Sequence, residues 1–269
     1  MGTIEDPTAP PVVLVFAGHD PTGGAGIQAD IETLAAQGCH AAPVVTALTV
    51  QDTRDVRAFH PVDPRIMAAQ AEAVLGDMPV RAIKIGMLGS VEVAKRIAGL
   101  LRHHAGIPVV LDPVLRAGGG GELASRELSE VIVAELMGSV LLATPNGPEA
   151  RQLVPEAETL ADCADRLLAA GADSVLITGT HEAGELITHR LWTADGGRID
   201  FHSPRLAGEY HGSGCTLASA IAAGVAQGKP LEQAVGDAQA FTLRSLEHGF
   251  HAGGGQRIPN RFFWGQWPR

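Results

Sequence analysis

Residues 211–216, His-Gly-Ser-Gly-Cys-Thr, have the composition of an anion-binding loop, and they lead directly into a run of small apolar residues that is typical of a helix. Two glycines allow backbone N–H groups to converge on one point, and the first turn of a helix adds unpaired amides with a partial positive charge. Such a loop accommodates a phosphoryl group in transfer. We therefore predict that Gly212, Ser213 and Gly214 form an anion hole.

Cys215 follows these glycines at the N-terminus of the predicted helix. A helix N-terminus favours the thiolate over the thiol, so we expect the pKa of Cys215 to be lowered and the side chain to act as a base or nucleophile. The alternative is a glycine-rich turn before a core helix that starts with a buried structural thiol.

Short apolar runs bounded by glycine, proline or polar turns alternate with alanine-rich helical stretches along most of the chain. Continuous apolar runs are typical of strands buried on both faces, and their alternation with helices predicts a mostly parallel sheet with helices on both faces. A turn at residues 195–197 predicts a hairpin over 185–202 and so an antiparallel edge. The predicted strands are 12–17, 43–48, 82–85, 108–111, 139–142 and 174–178, and the predicted helices include 27–36, 64–74, 91–98 and 160–168.

The predicted strands are followed by turns that contain glycine or polar residues. Open α/β sheets bind ligands beyond the carboxyl ends of their strands, so these turns meet at one rim. The sequence therefore predicts a binding site built from the turns at residues 18–20, 51–52, 86–87, 112–113, 144–146 and 178–180.

The bulk composition indicates one large domain. A chain of 269 residues with 45% hydrophobic content can bury a substantial core. Residues 1–11 are acidic and proline-rich, the reverse of a secretory signal, and are expected to form a disordered tail before a single domain at 12–269.

Charge and cysteine usage exclude several classes of function. A formal net charge of −10 argues against a nucleic-acid partner. No apolar run approaches the roughly 20 residues that span a bilayer, so no membrane association is expected. The three cysteines show no paired or metal-binding spacing, and Cys39 and Cys163 are interpreted as small core residues. These features predict a reduced, cytoplasmic protein.

Six motifs occur in a characteristic order: AGHDPTGGAGIQAD, TALTVQDT, KIGMLGS, VVLDPVL, TPNGPEA and HGSGCT. In this order and spacing the chain resembles the hydroxymethylpyrimidine/phosphomethylpyrimidine kinases of thiamine biosynthesis, of the ribokinase-like superfamily, over residues 12–245. The resemblance implies a three-layer αβα sandwich and a homodimer. It also implies ATP- and Mg²⁺-dependent phosphorylation of 4-amino-5-hydroxymethyl-2-methylpyrimidine and then of its monophosphate.

The resemblance implies a pyrimidine site formed by Gly18, Ala25, Asp30, Gln51, Met87 and Val114. Asp30, Gln51 and the backbone near Ala25 would bind the ring, because an amide side chain offers a donor and an acceptor in one plane. Met87 and Val114 would form its apolar wall. The alternatives are an exposed helix residue for Asp30, a turn residue for Gln51 and plain core packing for the two apolar side chains.

On the ATP side the resemblance points to Asp112, Asn146, Glu149 and Gly179, and Arg116 and Thr178 are added as candidates at two positions where this chain departs from the family. Asn146 and Glu149 would hold Mg²⁺ through water, since hard cations prefer oxygen ligands. Without the resemblance, this pair is an ordinary helix start. Cys215 would occupy the place where the superfamily usually carries an aspartate base.

The chain departs from the family pattern at two phosphate-site positions. Many members carry a lysine in the loop where this chain has Arg116 before four glycines, and another where Thr178 stands. Arg116 is either a cation that swings into the site as a flap closes or a solvated loop residue. The segment 261–267 holds two of the three tryptophans and is expected to dock on the body or on a partner subunit.

Two other functions stay open at this point. A pyridoxal-type kinase also acts on a hydroxymethyl group of a six-membered nitrogen heterocycle. A pyrimidine-binding protein without turnover is compatible with the missing lysines, although such a protein has no use for an anion hole.

Overall fold

A computed structural model describes residues 8–116, 123–180, 182 and 184–265. Its nine strands and eight α-helices are numbered in chain order. The strands β1 to β9 are Val12–His19, His40–Gln51, Val56–Pro61, Val80–Ile85, Val109–Leu111, Leu142–Ala143, Ser174–Ile177, Leu186–Thr193 and Arg198–Pro204. The helices α1 to α8 are Gly26–Ala36, Pro64–Asp77, Val91–His103, Arg126–Val131, Gly147–Leu153, Leu160–Ala169, Ser213–Ala226 and Leu231–Glu247.

All nine strands form one sheet in the order β3-β2-β1-β4-β5-β6-β7-β8-β9. The six central strands are, in sheet order, β2, β1, β4, β5, β6 and β7, and neighbours among them pair in parallel. Strand β3 at one edge, and β8 and β9 at the other, pair antiparallel. The predicted mostly parallel sheet and the late hairpin are both confirmed.

Helices cover both faces of the sheet because its central strands are apolar on both sides. In β1, Leu14 and Phe16 join a core formed with α2 to α6, while Val13, Val15 and Ala17 join a second core formed with α1, α7 and α8. Two cores separated by a sheet make the three-layer arrangement that the sequence predicts. The carboxyl ends of the parallel strands lie at one rim, where α7 also begins.

Most predicted elements differ from the structure by a few residues at one end, and three strands show the main departures. Strand β3, Val56–Pro61, is mostly exposed and lacks the continuous apolar run by which the other strands were predicted. Strand β6 is Leu142–Ala143, because residues 137–139 form a 3₁₀ turn in place of the start of the predicted strand. Strand β2 begins at His40, three residues earlier than predicted.

The segments next to the chain ends contact the body of the protein. The carbonyl of Pro11, in the predicted tail, accepts a hydrogen bond from the N–H of His40 (2.9 Å), while residues 1–7 of that tail lie outside the described residues. Near the other end, the ring of Phe263 lies 5.8 Å from that of Phe241 on α8. Docking on the body is thus confirmed as far as residue 265, and Trp267 lies outside the described residues. None of the described helices is both long and apolar enough to cross a membrane.

Candidate active site

The anion loop lies against the glycine-rich loop that follows β1. Gly212 caps α7 with a φ of +79°, and a Cβ atom there would lie 2.1 Å from the carbonyl oxygen of Gly24. The Thr216 hydroxyl donates to the Gly212 carbonyl at 2.8 Å and fixes the first turn of the helix. Glycine is therefore required at position 212 for its backbone conformation and for the close approach of two loops.

Replacement of Gly212 by alanine is expected to lower the free energy of unfolding by about 3 kcal/mol or more. Left-handed backbone costs alanine roughly 1–2 kcal/mol, and displacing Gly24 adds about 1–3 kcal/mol. Gly228, at the other end of α7, has a φ of +78° with open space around its Cβ position, so Gly228→Ala carries the backbone cost alone. Urea denaturation of both variants measures the difference, and equal losses would show that the two loops do not press together.

Cys215 as a whole residue is half-buried in the first turn of α7, with its thiol turned into the interior. Burial, with smaller contributions from the charges of Asp112 and Asp30, raises its pKa to about 12, although Lys84 acts in the opposite direction. The expectation of a lowered pKa is therefore wrong, because burial and two carboxylates outweigh the helix N-terminus. The thiol instead donates a hydrogen bond to Asp112.

Asp112 lies at the carboxyl end of β5 beside the anion loop. A Cβ atom on Gly214 would come within 4.0 Å of its Oδ1 atom, and its buried Oδ2 atom has no hydrogen-bond partner among the described residues. Burial raises the pKa of Asp112 to about 6, and Lys84 counteracts part of that shift. A buried acceptor without a partner is costly, so this oxygen suits a ligand or cation that supplies one.

Asn146 and Glu149 form a capping box at the start of α5, as the simpler interpretation of the pair predicts. The Asn146 side chain accepts from the N–H of Glu149, and the Glu149 carboxylate accepts from the N–H of Asn146, both at 2.9 Å. The carboxylate also accepts from the N–H of Leu115 at 3.4 Å. Burial raises the pKa of Glu149 to about 8, and the neighbouring charge of Asp112 adds to the shift.

The two buried carboxylates, Asp112 and Glu149, are suited to binding a divalent cation. The charge of Asp112 raises the pKa of Glu149, and a cation between two such carboxylates stabilises their ionised forms. No cluster of three or more metal-ligating side chains occurs in the described part of the chain, so the protein offers Asp112 and Glu149 and the remaining ligands would be water and phosphate oxygens.

Thr178 and Gly179, at the end of β7, lie next to Asn146. Thr178 forms an isolated parallel β-bridge with Asn146. A Cβ atom on Gly179 would lie 2.2 Å from the carbonyl oxygen of Thr188 on β8. The Gly179 N–H donates to Nδ1 of His189 at 3.3 Å, and burial lowers the pKa of His189 to about 4, which keeps the ring neutral. Arg116 is exposed, and the glycine-rich segment beside it, 117–122, for which a closing flap was considered from sequence, lies outside the described residues.

Asp20, which the sequence analysis did not assign, joins the residues of the predicted pyrimidine site. Its carboxylate accepts from the N–H of Ala25 at 2.8 Å and bonds to Nε2 of His211 at 3.0 Å. Burial opposes its ionisation, but hydrogen bonds from His211, Gln51 and Thr22 outweigh burial and hold the pKa of Asp20 well below its usual value. Gln51 is half-buried and lies 3.5 Å from His211, between their nitrogen atoms.

The predicted apolar wall is assembled beside this group. A Cβ atom on Gly18 would lie 3.0 Å from the sulfur of Met87, so the glycine makes room for the methionine. Met87 belongs to a small apolar cluster with Ala47 and Leu123, and Val114 packs against it. These contacts agree with core packing and with a ligand wall, which do not exclude each other.

Asp30 does not line that pocket, because its side chain is buried in the protein interior. Its side chain is 0% exposed and forms an ion pair with Lys84, at 2.9 Å from Nζ to Oδ1, and accepts from the Ser219 hydroxyl at 2.7 Å. Asp30 thus presents no surface to a ligand in this structure, contrary to the exposed helix residue considered from sequence.

Lys84 supplies a cation to the site from the interior of the sheet. Burial acts to lower its pKa, but the charges of Asp30 and Asp112 raise it above its usual value. A lysine inside the otherwise apolar run of residues 82–85 is the sequence signal for this residue, which the sequence analysis left unassigned.

Comparisons with known proteins agree with these features. A family model described as phosphomethylpyrimidine kinase matches residues 20–260. The chain is 41% identical to the thiamine biosynthesis bifunctional protein ThiED of Geobacter sulfurreducens, over 87% of this chain but only 49% of that protein. It is 39% identical to a hydroxymethylpyrimidine/phosphomethylpyrimidine kinase of Rhizobium meliloti, over 86% of this chain and 88% of the relative. A solved pyridoxal kinase of Bacillus subtilis in an ADP complex has a TM-score of 0.85 at 27% identity, covering 93% of this chain and 97% of that one.

Proposed function

The chain belongs to the phosphomethylpyrimidine kinase family and has its ribokinase-like fold, and on that premise we propose that it transfers a phosphoryl group from ATP to 4-amino-5-hydroxymethyl-2-methylpyrimidine and then to the monophosphate. The observation that carries the proposal is the contact between the anion loop and the loop after β1. Because Gly212 lies against Gly24, a phosphoryl group held by the first would be next to a ring held by the second.

The substrate side suits an aminopyrimidine. Asp20 and His211 engage the amide of Gln51, whose carbonyl oxygen can accept a hydrogen bond from an exocyclic amino group. Met87 and Val114 would contact the ring from its apolar side. We assign Asp30 a supporting role behind the pocket, because its carboxylate is bonded to Lys84 and Ser219.

The phosphate side provides electrostatic stabilisation, which is the main requirement of phosphoryl transfer. The amides of residues 212–215 would face the transferred oxygens, while Thr178, Gly179 and Arg116 would lie toward ATP. Glu149 would hold Mg²⁺ directly or through water, with Asn146 keeping Glu149 in place. Asp112 would contact the cation only through a bridging water, which leaves its carboxylate able to accept a proton. When bound, the cation supplies charge neutralisation for the phosphate oxygens.

We propose that the hydroxyl proton leaves by way of Cys215 to Asp112. With a pKa of about 12 the thiol is protonated, and it already donates to Asp112, whose pKa of about 6 leaves it ionised at pH 7. As the oxygen–phosphorus bond forms and ADP departs, Cys215 accepts the hydroxyl proton and passes its own to Asp112. A weak base suffices because the proton moves late in a loose transition state.

Pyridoxal phosphorylation is the second candidate, favoured by the structural match to a pyridoxal kinase. Identity is higher to the curated pyrimidine kinase, at 39%, than to that pyridoxal kinase, at 27%, which supports the pyrimidine.

The test is phosphate transfer from ATP-Mg²⁺ to hydroxymethylpyrimidine with pyridoxal as competitor. We expect the native chain to prefer the pyrimidine, Cys215→Ala to lose about 100-fold or more in kcat, and Cys215→Ser to retain more, because a hydroxyl can also relay a proton. Cys163→Ala, at a buried thiol on α6, is the matched control. Pyrimidine binding without transfer by the native chain would contradict a kinase, and preference for pyridoxal would favour the second candidate.

Three further features complete the proposal. The single nine-stranded sheet supports one kinase domain from residue 12. Leu48 and Val50, 51% and 49% exposed on β2 beside the edge strand β3, support a homodimer that covers them. Use of ATP supports a cytoplasmic location.

A further inference from the structure

The guanidinium group of Arg261 is buried close to the C-terminus of the chain. The residue is 1% exposed, and its three nitrogen atoms donate to three different partners. Nε donates to the Thr216 hydroxyl at 3.0 Å, Nη1 to a Glu32 carboxylate oxygen at 3.0 Å, and Nη2 to the Gly24 carbonyl at 2.6 Å. A cation that has left water is retained only by such a full set of partners.

Two of these partners belong to the loops that face each other in the site. Gly24 is the residue that Gly212 touches, and Thr216 holds the Gly212 carbonyl through its own hydroxyl. Arg261 therefore bonds to both sides of the contact on which the proposed reaction depends. The planar fork of arginine can reach two sites in fixed directions, whereas the single nitrogen of lysine cannot.

The residues before Arg261 form a strap, residues 255–261, across the loops that follow β2 and β9. The N–H of Gly255 donates to the Thr53 hydroxyl at 3.0 Å, and the N–H of Gln256 to the Thr53 carbonyl at 2.9 Å. The Arg257 carbonyl accepts from the N–H of His211 at 2.9 Å. The strap thus bonds to His211 and to a residue two positions after Gln51.

A cavity lies between part of the strap and the loop after β1. This cavity, of about 380 Å³, is lined by residues 19–23 on one side and by residues 258–262 on the other. Beside this cavity the hydrogen bond from Arg261 to the Gly24 carbonyl connects the strap directly to that loop.

We propose that Arg261 is a positioning residue, which sets the distance between the pyrimidine loop and the anion loop. This inference rests on the proposed function, because the distance matters only for transfer between groups held by those two loops. Loss of the correct spacing lowers the rate of transfer more than it lowers ATP binding, since the ATP side is built on β5 to β7.

The experiment compares Arg261→Ala and Arg261→Lys with Arg244→Ala, which removes an exposed arginine that stacks on Phe263 of the same segment. Both Arg261 variants are expected to lose at least about tenfold in kcat with the KM for ATP within about threefold, and guanidinium chloride at millimolar concentration is expected to restore part of the kcat of Arg261→Ala. The Arg244→Ala variant keeps native kinetics.

Should Arg261→Ala fail to fold, Arg261→Lys decides, because lysine keeps the charge beside Glu32. Native kcat in a folded Arg261→Lys overturns the proposal, as does a kcat loss in Arg261→Ala that guanidinium leaves unchanged. Hydrogen exchange separates this proposal from the proposed function: faster exchange at residues 22–25 and 212–216 in Arg261→Lys supports the link between the loops even if the native chain phosphorylates no pyrimidine, and unchanged exchange there overturns it.

Discussion

Asp112→Asn is expected to lower kcat by at least about 100-fold while leaving the protein as stable as the native chain, or more stable, at pH 8. The side chain lies beside Gly214, receives the hydrogen bond of Cys215, and carries a buried oxygen without a partner. The amide keeps the size of the carboxylate but can neither take up the hydroxyl proton nor attract a cation. The variant separates function from stability, because the negative charge of Asp112 is needed for the reaction but destabilises the folded protein.

The sign of the stability effect follows from the raised pKa. An aspartate in the unfolded chain titrates near pH 4, and Asp112 in the folded chain at about pH 6. Folding is therefore favoured by the protonated carboxyl below pH 4, and this contribution is lost as the pH rises through 6. Above pH 6 the free energy of unfolding is therefore lower by on the order of 2–3 kcal/mol than it would be with an unshifted pKa.

Thermal denaturation of the ligand-free protein between pH 5 and 8 measures this difference. The native chain is expected to lose stability over the range, with Glu149, whose pKa is about 8, extending the decline. Asp112→Asn shows a smaller decline, whereas Asp165→Asn, at an exposed position on α6, follows the native chain. A kcat within about threefold of native in Asp112→Asn would place proton acceptance and cation binding elsewhere.

The sequence predicts the fold well because its main signals are local. Continuous apolar runs identify the central strands, and the turns after them identify the rim that holds Asp112, Asn146 and Thr178. Strand β3 escapes prediction because it is stabilised by pairing with β2 and not by an apolar run of its own. The residues of β3 alone carry no strand signal, because the strand forms only by pairing with β2.

The electrostatics of the site could not be predicted in the same way. The expected lowering of the Cys215 pKa considers only the helix that the thiol starts, whereas its burial and the charges of Asp30 and Asp112 come from other segments. Asp30 and Lys84 are 54 residues apart. Partners so distant in sequence become visible only when the sheet brings them together.

Lys84→Met is expected to destabilise the protein by about 3–5 kcal/mol, because it leaves the carboxylate of Asp30 buried without its cation. Both side chains are 0% exposed, so water cannot replace the lost partner. Urea denaturation measures the loss. Lys95→Met, at an exposed position on α3, is the matched control and is expected to stay within about 0.5 kcal/mol of the native chain.

The double variant Lys84→Met/Asp30→Asn separates packing from electrostatics. With both charges removed, most of the stability is expected to return, since the asparagine can still accept from Ser219. The kcat is expected to stay at least about tenfold below native, because the cation that opposes the charge of Asp112 is gone. Lys84 lowers the pKa of Asp112 more than Asp30 raises it, so removal of both shifts the acidic limb of the pH–kcat profile to higher pH. If stability and kcat both recovered and the pH–kcat profile were unshifted, Lys84 and Asp30 would have a structural role only.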